Sequence, residues 1–345
     1  MPAPSAYEEY NMKVLFIGGT GNISAACSRL AISRGMELHL LNRGKQPIDI
    51  DGAESVVADI KDEAAVIKAT YGQEYDAVVN FIAFSAADIE RDMRLFAGRC
   101  KQYIFISSAS VYQKPATTPW IREDTPLVNP HWEYSRKKIE AEDRLNRALR
   151  EQGFPGVIVR PSLTYDTVIP IPFCWNQYTV VQRMLEGKRV VVHGDGTSLW
   201  AVTHSDDFAK GLVGLLGHQQ SIGHAFHITT DEILNWDQMY QAIAAAVGVE
   251  ANIVHLPSEL IAKAAPWEEG DLQGDKAVST IFDNSKIKRF VPDFCATIRF
   301  SEGIKRTLAW FDAEASRKVN DPGADGIIEK LLKAYDTAAD LLSAK

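Results

Sequence analysis

Residues 13–24 read KVLFIGGTGNIS, an apolar run that stops at a group of glycines. Lys13 to Ile17 has the character of a buried strand, and SAACSRLAISRG, from Ser24, has helical spacing that ends at Gly35. Gly18, Gly19 and Gly21 therefore fill the turn between a first strand and a first helix. Such a turn brings backbone N–H groups and a helix N-terminus against a pyrophosphate, and small residues let the backbone come close. The spacing reads as Gly19-x-Gly21-x-x-Ser24 or as Gly18-x-x-Gly21-x-x-Ser24. On either reading Ser24 holds the last small position, which is expected to face helix–strand packing. Thr20, Asn22 and Ile23 complete the loop as cofactor-binding candidates.

Outward from this loop, apolar runs alternate with amphipathic stretches. ELHLLNR, SVVADI, YDAVVNFIA, QYIFISSAS and GVIVRPS read as strands, and DEAAVIKATYG and residues 87–99 and 134–152 read as helices. Continuous apolar strands alternating with helices predict an α/β fold, a Rossmann-type doubly wound parallel sheet covered on both faces. After Pro161 the pattern breaks into aromatic, proline-bearing segments, so a smaller, discontinuous C-terminal substrate domain is expected. AVTHS and AFHITT are the two later runs expected to rejoin the sheet. The expected division is 12–165 plus about 201–232 for the dinucleotide domain and 166–200 plus 233–319 for the substrate region. Residues 320–345 are expected to form a helical tail.

Composition narrows the class of function. With 46% hydrophobic and 24% charged residues, the 345-residue chain reads as a globular protein with a sizeable core. A net charge of −8 with no basic stripe makes nucleic acid an unlikely partner. The four cysteines are too far apart for a metal or redox pair, and the histidines show no HxH or HxxxH grouping. No metal site is expected. The opening residues lack the basic and apolar regions of a signal peptide and no apolar run reaches membrane length. The expectation is a cytoplasmic protein with reduced thiols.

The second strand ends in Leu41-Asn42-Arg43-Gly44-Lys45. Asn42 lies about twenty residues after the glycines, where an acidic side chain would otherwise meet the ribose hydroxyls. An asparagine removes the charge that repels a 2′-phosphate, and Arg43 and Lys45 offer that phosphate a partner. The expected cofactor is NADP, with NAD as the alternative. Asp59 and Ile60 are expected at the adenine edge.

Two more segments carry chemistry. IFISSASVY (104–112) is a buried-type strand ending in hydroxyls, and EYSRKK (133–138) opens a helix. Tyr134 and Lys138 are four apart and share a helix face. A nearby ammonium favours the phenolate of a tyrosine, which can then exchange a proton with an alcohol or carbonyl while hydride moves.

Together the GGTGNIS loop, Asp59-Ile60, VVNFIA, SSASVY, YSRKK, RPSLTY, GDG…THSDD and FDNSKIKRFVPDF…FSEGI resemble the extended short-chain dehydrogenase/reductase superfamily, of the NAD-dependent epimerase/dehydratase type. An outlying branch that includes chloroplast stem-loop-binding proteins is the most similar group. The resemblance implies a catalytic triad of Ser108, Tyr134 and Lys138, with Lys138 also on the nicotinamide ribose. It places Phe81, Ile82, Ala83 and Ser107 along the cofactor, and Pro161, Ser162 and Leu163 near the nicotinamide. It also implies helix surfaces at 87–99 and 134–152 through which a homodimer could form.

Departures from the family pattern narrow the chemistry. The Asp-Glu pair of the dehydratases is replaced by Ala109 and Ser110, which argues against dehydration. The arginine that pairs with a nucleotide-sugar diphosphate is replaced by Trp200, which suggests a substrate without a diphosphate. Phe84, Tyr112, Tyr165, Phe173, Trp175 and Trp267 are further candidates for the pocket. His204 is expected to be structural. The expected activity is hydride transfer between nicotinamide and a secondary alcohol or ketone of a small sugar- or polyol-like substrate. Epimerisation by transient oxidation is the alternative, and a non-catalytic cofactor sensor or RNA binder is the alternative of another class.

Overall fold

The computed structural model describes residues 12–44, 50–172 and 178–344. Lys45, Phe173 and Trp175 lie outside the described residues. Seven strands form the main sheet: β1 (Lys13–Ile17), β2 (Glu37–Asn42), β3 (Glu54–Val57), β4 (Ala77–Asn80), β5 (Tyr103–Ile106), β6 (Gly156–Pro161) and β7 (Ala225–Ile228). All pair in parallel, in the order β7-β6-β5-β4-β1-β2-β3. The order reverses between β1 and β4, so a crevice opens beyond the carboxyl ends of these two strands.

Alternate residues of each strand feed two separate cores, as the pleat requires. Val14, Phe16, Leu40, Val79, Ile104 and Val159 pack against α1 (Ser24–Ser33) and α5 (Ser205–Leu215) on one face. Leu15, Ile17, Leu41, Val78, Phe105 and Ile158 pack against α2 (Glu63–Ala69), α3 (Ala86–Phe96) and α4 (Glu133–Gln152) on the other. Both ends of the long α4 are legible in the chain. Glu133 gives its first turn a favourable charge, and Gly153 closes it at φ 67°.

A further core holds the later residues. Val190, Val192, Trp200, Trp236, Tyr240, Phe300 and Phe311 belong to it. Ala225–Ile228 rejoins the main sheet as expected, but Val202–His204 does not; it pairs in parallel with Leu163–Tyr165. The helix Pro322–Ser343 forms where a helical tail was expected, and it packs on this core. It buries Ile328, Leu331 and Leu332 in the same core, and Asp325 and Glu329 pair with the buried Arg183 at 2.5 and 2.7 Å. Its apolar stripe is what a detached helix would leave in water. No helix among the described residues is long and apolar enough to cross a membrane.

Candidate active site

The glycine turn leaves β1 with Gly18 at φ 83°, and a Cβ there would stand 2.7 Å from Ile82. Gly19 faces inward, where a side chain would collide with Leu40. Gly21 is open: a Cβ would meet only the Ser24 hydroxyl, at 3.5 Å. The turn thus works as Gly18-x-x-Gly21-x-x-Ser24, with Gly19 as the packing residue. This corrects the expectation for Ser24. Its hydroxyl accepts from the Gly21 N–H at 2.8 Å and donates to the Gly18 carbonyl at 2.6 Å, inside the loop. Asn22 ties the loop to the start of the smaller region. It donates to the Thr164 carbonyl at 2.9 Å and accepts from the Asp166 N–H at 2.9 Å. Thr20 is exposed at the tip.

From this loop a cleft of about 650 Å³ runs past Phe81, Ile82, Pro161, Ser162 and Leu163 to Ser108 and Tyr134. Asn42 and Arg43 stand at the end of β2; the Asn42 side chain accepts from the Gly44 N–H, and Arg43 is exposed. Asp59 is exposed and caps the turn at Lys61, whereas the Ile60 side chain is buried in the core.

Ser108 and Tyr134 line the far end of the cleft together. Burial pushes the phenol up to about 12, Ser108 and the Lys276 charge draw it down, and Asp275 raises it. The Ser108 hydroxyl also lies 2.9 Å from that of Ser110, which accepts from Ser135 at 2.8 Å. Lys138 is buried, and its ammonium donates to the carbonyls of Ala83 and Ile106 at 2.7 and 2.8 Å. Burial pulls it down to about 7 against the charges of Glu142 and Asp88. The Lys138 ammonium also stands 5.6 Å from the Tyr134 ring, and Lys276, from a distant segment, adds its charge at the phenol.

Other expected site residues fall elsewhere. Ser107 is buried beneath the cleft and donates to Glu142 at 2.5 Å; Glu142 in turn grips Arg160 at 2.6 Å. Tyr112 is fully buried, with its ring 4.9 Å from the Arg160 guanidinium and its hydroxyl bonded to His227. Tyr165 packs inside the smaller core between His204 and Phe300. These three side chains serve the core rather than the cleft. Phe84 does stand by the site, 48% exposed and 6.2 Å from the Tyr134 ring. Trp200 is both wall and core: it lines the cleft, yet its indole donates to Val278 at 3.0 Å and its ring packs on Trp236. Trp267 lines the cleft, 68% exposed. His204 caps α5 by accepting from the Asp206 N–H, a structural role.

Sequence reasoning missed the remaining wall: Trp132, Glu268, Asp271, Asp275 and Lys276. Trp132 precedes α4 and its ring lies 4.9 Å from that of Tyr134, tilted by 44°, so its place two residues before the tyrosine was a usable signal. The others sit around a π-helical turn, Leu272–Lys276, which packs on Trp132 through Gly270 and Gly274. No local motif marks them. Among the described residues one group could ligate a metal, Glu37, His39 and Glu54, at the opposite ends of the strands. There His39 bridges the two carboxylates at 3.1 and 3.3 Å.

Residues 14–229 match the model of the NAD dependent epimerase/dehydratase family. The chain is 24% identical to the 2'-dehydrokanamycin reductase of Streptomyces kanamyceticus over 83% of its own length and 81% of that protein. It is 27% identical to the chloroplast stem-loop binding protein of 41 kDa b of Arabidopsis thaliana, over 70% of this chain and 65% of that one. Among solved structures, the epimerase Mth375 of Methanothermobacter thermautotrophicus superposes with a TM-score of 0.73 at 18% identity, covering 90% of this chain and 95% of that one. The UDP-glucuronic acid 4-epimerase of Bacillus cereus, solved with UDP-glucuronic acid and NAD, gives 0.68 at 18% identity, over 88% and 99%.

Proposed function

The chain belongs to the NAD dependent epimerase/dehydratase family, and on that premise we propose that it is an NADP(H)-preferring oxidoreductase. Its substrate on this reading is a secondary alcohol or ketone of a small sugar- or polyol-like molecule. The observation that carries the reading is the placement of Ser108 and Tyr134 together on the wall of a cleft that begins at the glycine turn.

The open face at Gly21 and the N-terminus of α1 suit a pyrophosphate, and a bound nicotinamide would supply or take up the hydride. Tyr134, pushed up to about 12, is protonated at neutral pH and so is ready to give its proton to a carbonyl oxygen. Ser108 can hold that same oxygen and stabilise the phenolate left behind. In the reverse direction Tyr134 takes the alcohol proton. Lys138 keeps the carbonyls of Ala83 and Ile106 in place beneath the reacting centre. Ala109 and Ser110 line the cleft at the positions where a dehydratase would carry its carboxylate pair, which supports hydride transfer without dehydration. The 2'-dehydrokanamycin reductase supports reduction of a ketone on a sugar-like ring. Asn42 and Arg43, at the end of β2, support the preference for a 2′-phosphate.

Epimerisation is the second reading, favoured by the resemblance to Mth375. Tyr134 can take the carbinol proton while a bound oxidised nicotinamide would take the hydride, and it can return the proton once the ketone is reduced from the other face. Turnover with no net change in NADPH would favour it. The test of both readings is Tyr134→Phe. Turnover should fall by about 10²–10⁴-fold while NADPH affinity, measured by fluorescence titration, stays within about twofold because the phosphate loop is untouched. Undiminished turnover would remove Tyr134 from the chemistry.

A further inference from the structure

The half of the cleft beyond Tyr134 has an unusual balance of charge. Glu268, Asp271 and Asp275 line it against one cation, Lys276. That lysine is already committed: its ammonium bonds to Asp271 and lies 3.3 Å from Asp275. Lys114, buried behind the wall, spends its charge on Asp275 at 3.4 Å. Glu268 is left over. No salt bridge holds it among the described residues. Burial and then the charge of Asp271 push its carboxyl upward, more than the shared Lys276 charge draws it down.

Indole faces surround these carboxylates. Trp132, Trp200 and Trp267 all line this half, and the Lys276 ammonium stands 5.7 Å from the rings of both Trp132 and Trp200. The walls thus already hold one ammonium between carboxylates and aromatic faces, the chemistry that recognises a cation. A substrate diphosphate would meet a net negative wall and an indole where an arginine is needed.

We propose that the substrate carries an ammonium group, as an amino sugar or aminocyclitol does, and that Glu268 and the Trp267 indole receive it. The ring then lies between Trp132 and the exposed Trp267 with its reacting carbon toward Ser108 and Tyr134. This rests on the reading of the cleft as the site of hydride transfer, and the test is a binding measurement so that the two can fail separately.

The protein saturated with NADPH is titrated calorimetrically with 2-deoxystreptamine, with its N,N′-diacetyl derivative and with myo-inositol. The diamine should bind about tenfold tighter than either neutral compound. Glu268→Gln should weaken the diamine about tenfold and leave the neutral compounds unchanged, whereas Glu269→Gln, at an exposed neighbour, should change nothing beyond about twofold. Equal affinity for diamine and inositol, no measurable diamine binding, or tighter binding of UDP-glucose would each overturn the proposal. The comparison within the unaltered protein stands even if Glu268→Gln does not fold. Binding that depends on Glu268 without any ketone reduction would uphold the ammonium site and remove the catalytic reading. Reduction of neutral ketones without diamine binding would do the reverse.

Discussion

Around the strand ends, the glycine turn, Ile82 and Pro161 give one end of the cleft a wall of main chain and short apolar groups. Beyond Tyr134, the wall is made of Trp132, Trp200, Trp267, Glu268 and Lys276, large or charged side chains held by an irregular helical segment. The first wall stands on a sheet whose register fixes it, and its specificity comes from N–H groups that every residue type possesses. The second depends on which side chains a distant segment brings. Substitution in the first should therefore act on folding or on the cofactor, and substitution in the second on the choice of substrate.

The sharpest way to break this contrast is through the floor of the first wall. Glu142 is fully buried and holds both Ser107 and the buried Arg160. Glu142→Ala would leave a guanidinium unpaired in the core and should cost about 3–5 kcal/mol in urea unfolding. A loss under about 1 kcal/mol would mean that the floor does not depend on this pair. In the second region the parallel test is Leu331→Ala, on the helix Pro322–Ser343. Because Leu331 is 2% exposed within the smaller core, the change should cost about 2–3 kcal/mol. A dispensable tail would show no change in the same measurement.

The same contrast explains what could be read from the chain. Strands, covering helices and the glycine turn were legible because each is encoded by local periodicity and by residues adjacent in sequence. Val202–His204 was misplaced because a short apolar strand looks alike in any sheet, and only tertiary pairing sends it to Leu163–Tyr165. Tyr112 and Tyr165 were assigned to the pocket on residue type, yet an aromatic side chain suits a core as well as a pocket. Lys276 and Glu268 left no sign at all. They reach the cleft wall from more than a hundred residues beyond Tyr134, and spacing carries no information across that distance. Family resemblance named Ser108 and Tyr134, which line one cleft, but gave no hint of Lys276 in the same wall.

Cofactor choice is the finest test, because it asks whether side chains also decide something at the main-chain wall. Arg43 is exposed at the end of β2 beside Asn42, so any phosphate it meets is partly screened by water. Arg43→Ala should weaken NADPH about fivefold, roughly 1 kcal/mol, and leave NADH unchanged in parallel fluorescence titrations. The loss should shrink in high salt, as an exposed ion pair requires. Asn42→Asp approaches the same question from the opposite charge: a carboxylate there should repel the 2′-phosphate and accept the ribose hydroxyls of NADH, narrowing the preference from both sides. Equal weakening of both cofactors by Arg43→Ala would instead place the arginine on the shared pyrophosphate or adenine. Discrimination would then have to come from a residue other than Arg43.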